Sequence, residues 1–108
     1  MTFDAHDRSL QLLRALALLL KRLAAHDADL TKQLRRAGAS VSLNIAEANQ
    51  RVGKDRAHLF RVALGSAAEV TACLEVAVAL SYVAHADVAP ALELADRVRA
   101  LTYRLARR

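Results

Sequence analysis

LTKQLRRAGASVSLNIAEANQ, residues 30–50, is the stretch whose reading decides the fold. Leu34, Ala37, Val41, Ile45 and Ala48 recur three or four residues apart. At 100° per residue they fall within about a third of a helix circumference. Lys32, Arg36 and Gln50 occupy the other side, so the segment is an amphipathic helix with one face for a core.

Reading outward gives three more such segments. Upstream, a helix over about 4–25 carries Leu13, Leu16, Leu20 and Leu23 at helical spacing, with Lys21 and Arg22 matched to the negative end of its dipole. His26 to Asp29 then break the pattern, and Asp27 or Asp29 can cap the next helix. Downstream, Arg51 to Lys54 close the second helix, with Gly53 supplying a left-handed residue. A third helix over about 55–82 aligns Leu59, Ala63, Ala67, Val70, Leu74 and Ala77, widened by Phe60 and Val78, and is expected to be the most buried. After a break at His85 to Asp87, a fourth over about 88–107 aligns Ala91, Leu94, Val98, Leu101 and Leu105. Asp87 is its expected N-cap, and Pro90 falls in its expected first turn. Four helices joined by about three to six residues can only fold back on one another. The expectation is an all-α, antiparallel up-down-up-down four-helix bundle forming one domain over residues 1–108.

Composition agrees. The chain is 55% hydrophobic but only 4% aromatic, which favours slim, closely packed helices. Three glycines and one proline leave little vocabulary for repeated β-turns. Lys and Arg number 16 against 11 Asp and Glu, a net charge of +5 that permits an acidic partner without demanding one. The lone Cys73 excludes an intramolecular disulfide, fits a reducing cytosol and reads as core packing. Asp4 and Asp7 precede the first apolar run, where a signal peptide would carry basic residues, and charge cuts runs such as Leu16 to Leu20. A soluble cytoplasmic protein with no membrane partner is expected.

One bundle does not use all the apolar surface. Leu18 sits within the polar stripe of Asp7, Gln11, Arg14, Lys21 and Arg22, and Leu43 lies on the side of Lys32, Arg36 and Gln50. Lone surface leucines are common, yet two of them beside an almost wholly apolar third helix point to self-association.

Beside the core stripe of the second helix, Ser40, Asn44, Glu47 and Arg51 form a small-polar ridge. The third helix carries Arg61, Gly65 and Glu69, with Ser66 alongside. A helix-interior Gly65 costs about 1 kcal/mol relative to Ala, which close approach by another group would explain. Ser40, Asn44, Glu47, Ser66 and Glu69 fit hydrogen bonding between helices that fixes their register, with a ligand site as the alternative.

The runs Gln33-Leu34-Arg35-Arg36-Ala37, Ser40-Val41-Ser42-Leu43-Asn44-Ile45-Ala46-Glu47, Gly65-Ser66-Ala67-Ala68-Glu69 and Leu80-Ser81-Tyr82 resemble the bacterial four-helix-bundle family named for the 23S rRNA intervening-sequence protein. That family also holds the accessory variability protein of diversity-generating retroelements. The match is strong over the second and third helices and one of pattern over the others. Ser42 stands where the family usually has Pro, Ala48 where it has Gly, and the first connection is shorter. The resemblance implies a ring-like homo-oligomer, typically a pentamer. For the retroelement branch it implies binding to a reverse transcriptase and to nucleic acid.

Arg35 and Arg36, together with the basic end of Arg104, Arg107 and Arg108, are the candidate RNA or DNA contacts, and otherwise plain solvated residues. His26 and His85 meet at one bundle end with Asp27, Asp29 and Asp87, but without tight metal-ligand spacing, and no cofactor is expected. Tyr82 and Tyr103 read as packing residues at helix ends. A di-iron bundle enzyme needs Glu-x-x-His pairs, and no Glu here has His three residues on. Phosphate loops and nucleophile elbows are also lacking, which leaves a nucleic-acid-associated adaptor or a protein scaffold rather than an enzyme. If the polar ridge fixes register, Asn44→Leu changes thermal stability or assembly more than Gln50→Leu. Equal, negligible effects in a melting experiment refute that role.

Overall fold

The computed structural model describes residues 2–107, with side chains over 4–107. Four helices run α1 Thr2–Ala24, α2 Ala28–Ala48, α3 Gly53–Ala79 and α4 His85–Ala106, and no strand occurs among the described residues. Each starts two or three residues earlier than the apolar pattern predicts and ends one to three residues earlier. The reason is that caps and first turns carry polar residues outside the apolar stripe. Each helix packs against two others, in the cycle α1, α2, α3, α4 and back to α1, giving the up-down-up-down bundle, 43 Å long.

The ends have specific causes. Asp27 caps α2: its Oδ1 accepts from the Leu30 N–H at 2.9 Å, and its carbonyl accepts from the Thr31 hydroxyl at 2.7 Å. Asp87 is not the N-cap of α4. Ala84 holds that position, and Asp87, three residues in, reaches back to the Ala84 N–H at 2.9 Å. Pro90 therefore sits in the second turn, not the first, and the carbonyl it leaves without an N–H partner belongs to exposed Ala86. Gly53 is left-handed at φ +61°, but it opens α3 instead of closing α2, which ends at Asn49 in right-handed geometry.

The left-handed residue that ends a helix is Ser81, at φ 63°. The Tyr82 N–H reaches back to the Ala77 carbonyl at 3.0 Å, and the Ser81 N–H to Val78 at 2.9 Å, the paired bonds of a Schellman turn.

The α2 stripe of Leu34, Ala37, Val41, Ile45 and Ala48 is buried throughout. On α1 the core face is Ala5, Ser9, Leu12, Leu16, Leu19 and Leu23, so the expected stripe was rotated: Leu13 and Leu20 are only partly covered. Nor is α3 the most buried helix. Phe60, Ala63, Ala67, Val70, Cys73, Leu74 and Ala77 face inward, while Val62 and Val76 are exposed and Leu59 is partly covered. By length and composition alone α3 is long and apolar enough to cross a membrane. In the bundle its inward face is core.

At Gly38 a Cβ would stand 3.0 Å from Leu16 Cδ1 and 3.1 Å from Leu13 Cδ2, so α1 and α2 close to a distance that a side chain there would oppose. Four residues further along α2, the hydroxyls of Ser42 and Ser9 lie 3.0 Å apart in the interior, and the Ser9 hydroxyl also reaches the His6 carbonyl at 2.6 Å. One bundle end is tied by side chains. The Tyr82 hydroxyl donates to Asp27 Oδ2 at 3.1 Å, His26 stacks on Tyr82 with ring centroids 5.2 Å apart, and Arg22 pairs with Asp87 at 3.2 Å. The hydrogen bond to Asp27 is the largest of the influences holding the Tyr82 phenol above its ordinary pKa. The Ala84 N–H, then Arg22, holds the Asp87 carboxyl below its own.

Ser81→Gly removes the cost of a left-handed side chain, about 1 kcal/mol, and raises the thermal midpoint by about 4–8 °C. An unchanged midpoint in a calorimetric scan contradicts the strain. The pH dependence has a definite sign. Asp87 stabilises the fold fully above the ordinary carboxylate pKa of about 3.9 and stops doing so as pH falls through its lowered value. Tyr82 contributes fully below about 10 and stops as pH rises through its raised value. Asp87→Asn flattens the acid limb of a stability profile and leaves the alkaline limb, whereas Tyr82→Phe does the reverse.

Candidate functional site

The ridge between α2 and α3 carries hydrogen bonds within α2 and across the helix pair. Ser40 and Ser66 hydroxyls meet at 2.8 Å across the helix pair. Asn44 Nδ2, half-buried, donates to the Ser40 carbonyl at 2.8 Å and to its Oγ at 3.0 Å, which orients that hydroxyl toward α3. Gln33 reaches Glu69 at 3.4 Å on the surface. Glu47 is exposed, not shielded: Arg51 bridges it at 3.0 Å to Asp55 at 3.7 Å, tying the end of α2 to the start of α3. Gly65 departs from the expectation too. Neither a side chain nor another helix comes within 4 Å of where its Cβ would stand, so within the subunit no close approach explains it.

The buried Ser9 and Ser42 pair was missed in the sequence. Ala5, Ser9, Leu12 and Leu16 have helical spacing, and that spacing was the available signal.

The candidate basic residues do not converge. Arg35 and Arg36 are exposed on α2 and make no ion pair among the described residues. Arg104 and Arg107 lie near the end of α4, at the opposite end of the bundle from the start of α2, and these two helices are diagonal. The Arg104 Nε donates to the Ala100 carbonyl at 3.4 Å. Arg107 lies over the Tyr103 ring, 5.3 Å from its centroid, and donates to its hydroxyl at 3.3 Å. Arg108 lies outside the described residues.

Leu18 and Leu43 are 72% and 68% exposed, against none of the surface of core neighbours Leu16 and Val41. At the tied end Asp27 caps α2 and Asp87 reaches back to the Ala84 N–H, and no group of three or more His, Cys, Asp or Glu is placed to hold a metal among the described residues. Burial, then the charge of Glu69, pushes the Cys73 thiol above its ordinary pKa, so it is a poor nucleophile.

A feature the sequence did not reveal is a cleft of about 620 Å³ between the outer sides of α3 and α4. Arg61, Gly65 and Ala68 line it from α3, and Asp96, Arg99 and Tyr103 from α4. The Arg99 Nε is shut off from solvent and has no hydrogen-bond partner, and only its Nη1 approaches Asp96, at 3.8 Å. Arg61 makes no ion pair among the described residues. Tyr103 is half exposed at the cleft's edge. Periodicity puts Arg61 in the ridge and Tyr103 in helix-end packing, and the structure turns both to the cleft, because period alone does not say which neighbour a flanking residue faces.

A search of curated proteins finds no match. Among solved structures, the chain is similar to a protein of unknown function from the S23 ribosomal protein family of Bacteroides thetaiotaomicron, with 24% identity and a TM-score of 0.87 over 96% of this chain and 99% of that one. That likeness supports the bundle fold. The sequence model of the 23S rRNA-intervening sequence protein family matches residues 2–104, so nearly every turn of all four helices, including the polar ridge and the open glycine of α3, falls inside it, and the chain belongs to that family.

Proposed function

We propose that the protein is a non-enzymatic homo-oligomer that works in the cytoplasm as a nucleic-acid-associated adaptor. The observation that carries the reading is the exposure of Leu18 and Leu43 on two adjacent helices, each amid charged residues. Fully burying a leucine is worth roughly 1.5–3 kcal/mol, so a second copy covering both supplies a good part of a stable contact. Five subunits, the number the family resemblance implied, is one arrangement such contacts allow, and a two-fold dimer is another.

The charge distribution supports the second half of the reading. Arg35 and Arg36 lie far from Arg104 and Arg107, so one subunit offers two small basic areas where a phosphate chain needs a continuous one. Assembly brings copies of each area together and multiplies weak phosphate contacts. The buried, unreactive Cys73 and the single-purpose polar contacts of the ridge support a binding role over a catalytic one.

Sedimentation at micromolar concentration is expected to give a species several times the 11.7 kDa chain mass. The pair Leu18→Lys and Leu43→Glu is expected to return it to a monomer with unchanged helix content. A monomeric parent chain ends the oligomer reading. RNA affinity that does not fall as salt is raised favours the protein scaffold instead.

A further inference from the structure

We infer that the cleft between α3 and α4 is a binding site for single-stranded nucleic acid, with backbone phosphate held by Arg61 and Arg99 and a base stacked against Tyr103. The inference rests on the nucleic-acid reading above and assigns it a place that reading lacks.

Three independent features converge there. The first is Gly65. A glycine inside a helix costs about 1 kcal/mol relative to Ala, and here nothing in the subunit uses the space, since no side chain or other helix lies within 4 Å of its missing Cβ. Its effect is to deepen the floor of the cleft, as Ala68 does one turn on. The second is the state of the arginines. Arg99 keeps much of its side chain accessible, with its Nη1 only loosely paired to Asp96 at 3.8 Å, and Arg61 across the cleft makes no ion pair among the described residues. Guanidinium donors left with no close carboxylate are free to take an acceptor, and a phosphate oxygen is one that a guanidinium fits well.

The third feature is the aromatic edge. Tyr103 is half exposed, with Arg107 over its ring at 5.3 Å and donating to its hydroxyl at 3.3 Å. Aromatic and guanidinium planes are the platforms on which unpaired bases stack, irrespective of sequence. At about 620 Å³ the cleft is in the size range of small-ligand sites, enough for a nucleotide unit of a longer strand.

Charge argues against the other occupant, a second copy of the chain. Arg61 and Arg99 line the cleft with a single carboxylate, Asp96, and a chain of net charge +5 is a poor partner for that excess. A polyanion is a good one.

The test is fluorescence anisotropy with a labelled oligouridylate of about twelve nucleotides, read at several salt concentrations, on the full chain and three variants. Tyr103→Ala is expected to weaken binding roughly ten-fold or more. Arg61→Ala is expected to reduce the slope of log affinity against log salt by about 0.7, the loss of one phosphate contact on a single strand. Gly65→Leu separates binding from folding. It fills the floor, where its Cβ meets nothing within 4 Å, and improves helix propensity, so its thermal midpoint holds or rises while binding falls at least as far as with Tyr103→Ala.

If the parent chain binds no oligonucleotide, the nucleic-acid reading fails and the cleft assignment with it. If the parent binds and all three variants bind equally well, the cleft assignment alone fails. A duplex that competes as well as the single strand also overturns it, because paired bases cannot stack on Tyr103. If Gly65→Leu lowers the sedimenting mass, the cleft is a contact between copies and the assignment is wrong.

Discussion

The close approach of α1 to α2 at Gly38, where an added methyl would stand 3.0 Å from Leu16 Cδ1, is the contact on which the rest of the bundle depends. It lets the leucines of α1 seat against the α2 stripe, and it brings Ser9 within 3.0 Å of Ser42, so a polar pair in the interior satisfies itself. With α1 fixed, α2 presents its other flank to α3, where small Ser40 and Ser66 again permit a short contact at 2.8 Å. Aromatic bulk is confined to Phe60 in the buried set, so the packing relies on helices that come close together, not on large side chains that fill gaps between distant ones. Ser42 fits this geometry, since its hydroxyl meets that of Ser9 on α1.

What the sequence made legible depended on how sharply each helix separates its faces. On α2 charged and apolar residues alternate cleanly, and every residue of its expected stripe is buried. On α1 leucines occupy positions 10, 12, 13, 16, 18, 19, 20 and 23, most of the circumference, so periodicity fixes the element without fixing its rotation. Ser9 settles the rotation once α2 is opposite it, but nothing local says so. For α3 the difficulty is that apolar composition was read as depth. Its alanines and valines serve both faces, and only tertiary contact distinguishes Ala67 in the core from Ala68 at the cleft.

Capping errors have a similar origin. Asp87 is a good N-cap residue by type, yet the Ala84 N–H is three residues upstream, and a carboxylate that also meets Arg22 gains more from reaching back than from starting the helix. Ser81 was invisible for the opposite reason. Serine carries no preference for left-handed backbone, and the turn is imposed by the need to bring Tyr82 over Asp27 and His26, where one hydroxyl and one ring link the first connection to the third.

Gly38 and Gly65 make the two halves of the molecule intelligible together. Both are helix-interior glycines with the same intrinsic cost. At Gly38 the structure supplies the compensation, because a neighbouring helix occupies the space that a side chain would need. At Gly65 it does not, and the residue lines the same cleft as Arg61 and Arg99. The helix cost of Gly65 has no compensation inside the subunit, and the cleft it opens is the one proposed above for nucleic acid. The stability of the fold is then decided at the α1 and α2 contact and the polar ridge, while α3 and α4 turn toward solvent the surface on which binding can act without loosening the core.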